Sequence, residues 1–150
     1  MELADTSAWS WTRVVGGDTR QAFDEAVVEG AIATCDMVRL ELLHSARTVG
    51  EFEALRDDLG ALPDCPIGKA QWDRALEVYA KLASKAGLHH RAVKHPDLLI
   101  AAAAEAAAVP VVHYDEDYDL IAQVTGQEVR WLAPRGSLTA WDQGRAYFLK

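Results

Sequence analysis

Short apolar runs alternate along the chain with longer segments that have helical spacing of apolar residues. The apolar runs predict strands at 2–5, 31–35, 111–113 and 128–131. Capping residues and helix-ending glycines predict helices at 20–29, from Asp36, from Thr48 to about Gly60, at 69–86, at 97–108 and at 117–124. We expect the first strand to lead into a loop after Asp5. We also expect Asp36 to be the N-cap of its helix, with Met37, Leu40 and His44 on one buried stripe. Strands that alternate with helices in this way predict an α/β fold, in which a central parallel sheet lies between helices.

Length and composition describe an ordinary globular domain. The chain has 150 residues, of which 50% are hydrophobic and 25% charged, enough for one domain with its own core. No apolar run approaches the roughly 20 residues of a membrane span, and the polar start does not resemble a signal peptide. We therefore expect a cytoplasmic protein with no membrane contact, in which Cys35 and Cys65 are free, buried thiols. The net charge of −8 argues against a protein that wraps duplex DNA by bulk attraction.

Four carboxylates stand where an α/β fold could bring them to one end of the sheet. Asp5 and Asp115 end strands, Asp97 begins the alanine-rich helix, and Glu41 lies between leucines. Carboxylates that converge repel one another and resist burial, so a divalent cation is the usual reason for such a group. Each has a simpler interpretation: the aspartates can be turn formers or helix caps, and Glu41 can pair with Arg39 or Arg47.

Two further features bear on substrate binding. Thr6 and Ser7 follow Asp5 directly, and a hydroxyl there could hold a phosphate oxygen or form a turn. Basic residues are dense just before Asp97, at Lys81, Lys85, Arg91 and Lys94. We call these four residues the basic segment; it is either an edge that contacts phosphate or a solvated helix face.

Taken together, these segments resemble the PIN-domain ribonucleases, and most closely the VapC-type toxins of bacterial toxin–antitoxin pairs. The resemblance runs from Met1 to about Pro134 and rests on LADTSA at 3–8, Glu41, HPDLLIAA at 95–102 and VVHYDEDYDLIA at 111–122. It implies a three-layer α/β/α domain over 1–134. The sequence assigns no role to the tail at 135–150.

The same resemblance implies a function and a site. It predicts a homodimeric toxin that cleaves RNA with Mg²⁺ or Mn²⁺ and is inhibited by a cognate VapB-type antitoxin. Matched by position, the catalytic residues are Asp5, Glu41, Asp97 and Asp115. The metal ligands are Asp5, Asp97, Asp115 and Asp117, and the substrate-binding residues are Thr6, Ser7, Arg91 and Lys94. One departure concerns His113, which stands where the family usually has threonine or serine.

The chemistry that fits this site is metal-assisted hydrolysis of an RNA phosphodiester, in which a cation activates a water for in-line attack. Two alternatives remain at this point. One is a phosphatase with Asp5 as the nucleophile, although Ser7 stands where its second acidic residue would be. The other is a non-catalytic regulatory dimer that binds RNA or protein.

Overall fold

The computed structural model describes residues 1–85 and 87–138. The elements, in chain order, are β1 (Glu2–Ala4), α1 (Thr6–Thr12), α2 (Gly17–Val28), β2 (Ile32–Ala33), α3 (Asp36–Leu43), α4 (Val49–Gly60), α5 (Lys69–Ser84), a 3₁₀ turn (His89–Arg91), α6 (His95–Ala106), β3 (Val111–His113), α7 (Asp117–Thr125) and β4 (Val129–Trp131). Within this part of the chain, the strands form one sheet in the order β2-β1-β3-β4, and every neighbouring pair is parallel.

The sheet lies between two apolar clusters, because successive strand residues point to opposite faces. Leu3 and Val111 join the larger cluster, which α3, α5, α6 and α7 cover. Ala4 and Val112 join a smaller cluster with Trp11 of α1 and Phe23 of α2. The predicted parallel sheet and three-layer α/β/α fold are therefore confirmed.

Helix α6 is the central helix of the larger cluster. Its residues from Asp97 to Ala104 are all buried, because the small alanine side chains let the helix axis approach the sheet and its neighbours closely. Near the C-terminal end of this helix, Glu105 forms a bidentate ion pair with Arg74 of α5, with N–O distances of 2.7 and 2.8 Å. The chain positions Asp97 on this rigid, buried element.

Several local predictions are confirmed. Thr48 caps α4 through a hydrogen bond from the Glu51 N–H at 3.1 Å. Gly30 follows α2 with a φ of +69°, the left-handed conformation that suits glycine at a helix end. Cys35 and Cys65 are free and buried.

Other predictions are wrong. The segment after Asp5 is helix α1 rather than a loop, with Asp5 as its N-cap. Asp36 is the first residue of α3 and Cys35 is the cap. The buried stripe of α3 passes through Val38 and Leu42, whereas Leu40, which we expected to be inward, is 64% exposed.

Within residues 1–85 and 87–138, no helix has the length and apolarity needed to cross a membrane. The start of the predicted tail contacts the body, since the Leu138 N–H donates to the Tyr114 hydroxyl at 2.8 Å. Residues 139–150, which hold most of that tail, lie outside the described part of the chain.

Candidate metal and active site

Three carboxylates converge beyond the carboxyl ends of the strands. Asp115 follows β3, Asp97 lies in the first turn of α6, and Asp117 lies in the first turn of α7. Each offers an oxygen, and these oxygens all lie within 4.8 Å of one another. We call these three residues the carboxylate cluster. The edge beyond the carboxyl ends is where parallel α/β sheets bind ligands, and the two helix N-termini favour negative charge there.

Burial makes this cluster unusual. Asp97 and Asp117 are each only 5% exposed, and the Oδ2 atom of Asp97 is buried without a hydrogen-bond partner among the described residues. Burial, and after it the nearby charge of Asp5, raise the pKa of Asp97 to about 9. Such a carboxylate is costly unless a cation or a proton neutralises it.

The pKa of Asp117 shifts in the opposite direction to that of Asp97. Burial alone would raise its pKa, but the hydrogen bond from the Lys94 backbone N–H and the nearby Lys94 ammonium lower the pKa of Asp117 overall. Burial therefore acts mainly against the ionised form of Asp97, whereas Lys94 favours the ionised form of Asp117. Oxygen ligands at this spacing, one of them unpartnered, form a donor set that suits a hard divalent cation.

The ammonium of Lys94 approaches all three carboxylates of this cluster from the solvent side. Its Nζ is 2.6 Å from Asp115 Oδ2 and 3.0 Å from Asp117 Oδ2, and 3.7 Å from Asp97 Oδ2. Burial would lower the pKa of Lys94, but the hydrogen bonds to Asp115 and Asp117 outweigh it and raise that pKa. The structure thus places a residue that we predicted to bind substrate against the predicted metal ligands.

Asp5 is held by hydrogen bonds at the side of the cluster. Its Oδ2 accepts from the Ser7 N–H at 2.9 Å and from the Ser7 hydroxyl at 2.5 Å, and its Oδ1 accepts from the fully buried Tyr118 hydroxyl at 2.6 Å. Among the described residues, Asp5 is not one of the three whose oxygens meet within 4.8 Å. Metal binding by Asp5 therefore stays a prediction.

Glu41 reaches the same region from α3. Its Oε2 accepts a hydrogen bond of 2.6 Å from the Thr6 hydroxyl. Burial and the charge of Asp5 raise the pKa of Glu41, although the Thr6 hydrogen bond opposes this. The alternative ion pair with Arg39 is wrong, because the Arg39 guanidinium pairs with Asp36 and Asp64.

The basic segment does not act as one edge. Lys81 pairs with Glu77 at 2.9 Å, whereas Lys94 enters the carboxylate cluster. Arg91 ends the 3₁₀ turn and is exposed. Its predicted contact with substrate phosphate remains a prediction.

His113, the departure from the family pattern, is fully buried beneath the site. Its Nδ1 accepts from the Asp115 N–H at 3.2 Å, and its ring packs 4.9 Å from the rings of Tyr118 and Trp131. Burial lowers the pKa of His113, which favours a neutral ring. The imidazole thus takes part in holding the backbone that carries Asp115.

Sequence reasoning missed Tyr118. Its hydroxyl is a donor to Asp5, 113 residues earlier in the chain, and no spacing rule connects the two positions. The neighbouring Asp117 and Asp119 mark this segment as a candidate site, but a tyrosine on an apolar helix face is ordinarily predicted to be a core residue.

Comparison with known proteins identifies the family. A family model for the PIN domain matches residues 3–124. Ribonuclease VapC18 of Mycobacterium tuberculosis is 45% identical over 134 residues, covering 89% of this chain and 96% of that protein. Ribonuclease VapC51 of the same organism is 39% identical over 136 residues, covering 91% and 96%.

Solved structures share the fold. DNA-bound VapBC from Salmonella typhimurium aligns with a TM-score of 0.65 at 15% identity, covering 89% of this chain and all of that one. VapBC2 from Rickettsia felis aligns with a TM-score of 0.65 at 18% identity, covering 87% and 97%. The chain therefore belongs to the PIN-domain family and, within it, to the VapC-type ribonucleases.

Proposed function

We propose that this protein is a metal-dependent endoribonuclease, the toxin of a type II toxin–antitoxin pair, which hydrolyses RNA phosphodiester bonds with Mg²⁺ or Mn²⁺. The observation that carries the proposal is the carboxylate cluster, in which Asp97 Oδ2 is buried and has no hydrogen-bond partner among the described residues. The two relatives that are 45% and 39% identical to this chain are named ribonucleases, which supports RNA as the substrate.

Asp97, Asp115 and Asp117 would hold the metal. A bound divalent cation would supply charge to offset the phosphate and would lower the pKa of a water molecule at neutral pH. The chain's own contribution is to fix the three carboxylates on the first turns of α6 and α7 and on the end of β3. Rigid placement of this kind is what a metal site of defined geometry requires.

Asp5 and Glu41 have different tasks in this proposal. Tyr118 and Ser7 hold the Asp5 carboxylate in one orientation, so its charge always faces the site. Glu41 is less constrained and its pKa is raised, so it takes up a proton more readily than an exposed glutamate. That property suits a group that receives a proton from the attacking water, with the Thr6 hydroxyl orienting it.

The partners follow from the same reasoning. We propose a VapB-type antitoxin, since the aligned structures from Salmonella and Rickettsia are VapBC complexes. We also propose a homodimer, which follows from the family resemblance alone. Helices α3 and α4 expose the apolar residues Leu40, Val49 and Phe52, at 64%, 76% and 41%. An apolar antitoxin segment would cover this surface, with a basic side chain directed into the acidic site.

Cleavage of total RNA tests the function. Wild-type protein with Mg²⁺ or Mn²⁺ should cleave, excess chelator should stop it, and Asp97→Asn should remove it. Asp18→Asn is the matched control, because Asp18 also lies in a first helical turn but is exposed. RNA binding without cleavage at any metal concentration would favour the non-catalytic regulatory dimer instead.

A further inference from the structure

Lys94 is attached to the carboxylate cluster at two points. Its backbone N–H donates to Asp117 at 3.0 Å, while its ammonium contacts Asp115 and Asp117 at 2.6 and 3.0 Å. The side chain is 60% exposed, so its stem lies at the surface and only its charged end enters the cluster. The ammonium can therefore leave for solvent without disturbing the core.

A single ammonium neither balances the charge of this cluster nor forms a hydrogen bond with each of its carboxylates. A single positive charge faces three carboxylates, and its distance of 3.7 Å from Asp97 Oδ2 is too long for a hydrogen bond. Within the part of the chain that the structure describes, the buried Asp97 Oδ2 has no hydrogen-bond partner. A divalent ion with ligands at 2.0–2.1 Å would need the space between these same oxygens, where the ammonium now lies.

We propose that Lys94 is an internal counter-ion that occupies the divalent-metal site of the metal-free protein and leaves it when a metal ion binds. The inference rests on the proposed metal-dependent function, because it takes the carboxylate cluster to be the metal site. Lys94 then lowers the apparent metal affinity and keeps the metal-free protein stable. Once displaced, its charge stands at the rim of the site, where RNA phosphate would arrive.

The test is Lys94→Met, which removes the charge but keeps most of the hydrocarbon stem and the backbone N–H. Free Mn²⁺ is measured by electron paramagnetic resonance, without RNA. We expect the Mn²⁺ dissociation constant to fall about tenfold, which corresponds to about 1.4 kcal/mol. Lys94→Arg keeps a competing cation, so its dissociation constant should stay near that of the wild type.

Thermal unfolding of the same proteins adds an independent measurement. Without metal, Lys94→Met should melt at a lower temperature, because the carboxylates lose their counter-ion. In saturating Mn²⁺ it should melt with the wild type, because the ammonium no longer pairs there. Lys81→Met is the control: Lys81 pairs with Glu77 on α5, so neither the dissociation constant nor the metal dependence of melting should change.

Two results would overturn the inference. One is an unchanged or weaker Mn²⁺ affinity in Lys94→Met. The other is an equal loss of melting temperature with and without Mn²⁺, which would mean that Lys94 keeps its contacts in the loaded protein. If the methionine variant does not fold, Lys94→Gln is measured in its place. Tighter Mn²⁺ binding without any RNA cleavage would sustain the inference while refuting the ribonuclease.

Discussion

Replacing Asp97 by asparagine should make the metal-free protein more stable. The change keeps the shape of the side chain but removes a carboxylate that is 5% exposed and whose Oδ2 has no hydrogen-bond partner among the described residues. Asparagine cannot ionise, so burial and the charge of Asp5 no longer act against it. A mutation at a proposed active site would thereby raise stability, as expected where function maintains a destabilising charge.

The size and the pH dependence of this gain in stability follow from the pKa of Asp97, which rises from 3.8 to about 9 on folding. Because the folded pKa is the higher one, ionisation costs nothing below about pH 3.8, and the cost grows as the pH rises towards 9. Each pKa unit corresponds to about 1.36 kcal/mol. The interval from 3.8 to pH 8 therefore sets an upper bound of about 6 kcal/mol. The lowered pKa of Asp117 offsets part of this, so we expect a net gain on the order of a few kcal/mol at pH 8.

Urea unfolding in chelator between pH 5 and pH 9 measures this difference. The gain of Asp97→Asn over the wild type should increase with pH and should be lost when Mg²⁺ is added, since only the wild type would then bind the ion at full strength. Asp18→Asn, at an exposed first-turn position, should show neither effect. A difference that does not vary with pH, or an asparagine variant that is less stable throughout, would refute the account of Asp97 given above.

Three other variants test the surroundings of the cluster. Tyr118→Phe leaves Asp5 Oδ1 without its buried donor and should cost about 1–3 kcal/mol in urea unfolding; a neutral effect would mean that water replaces the hydroxyl. Thr6→Val removes the hydrogen bond that lowers the pKa of Glu41. The acidic limb of the cleavage–pH profile should therefore move to higher pH. A limb that does not move would exclude Glu41 as the base that titrates there. Arg91→Ala should reduce the slope of log affinity for RNA against log salt by about 1, whereas an unchanged slope would make this residue part of an ordinary solvated surface.

The fold was largely predictable because its signals are local. The strands are short and mostly apolar, and several helix boundaries have a capping residue or a glycine, so the order of elements follows from the local sequence. Helix α1 was missed for a physical reason. Its start depends on Asp5, whose side chain accepts from the Ser7 N–H, and a helix cap cannot be told from a metal ligand by residue type alone.

The site was predictable only in outline. Carboxylates that end strands or begin helices meet at one edge of a parallel sheet, and Asp97, Asp115 and Asp117 do meet there. Which carboxylate has a free oxygen is a different question. Asp5 accepts three hydrogen bonds, whereas Asp97 Oδ2 accepts none from residues 1–85 and 87–138. That difference depends on side chains far apart in sequence.

Lys94 shows most clearly what a sequence leaves open. Its place among basic residues favoured a surface that receives phosphate, but local charge density does not specify which way one side chain turns. Lys94 lies three positions before Asp97, and the segment from the end of β3 to the start of α7 brings Asp115 and Asp117 to the same ammonium. In the mechanism proposed for Lys94, its ammonium supplies positive charge to the carboxylates while no metal is bound. The same residue then lowers the apparent metal affinity, because the ammonium and the metal ion compete for the same oxygens.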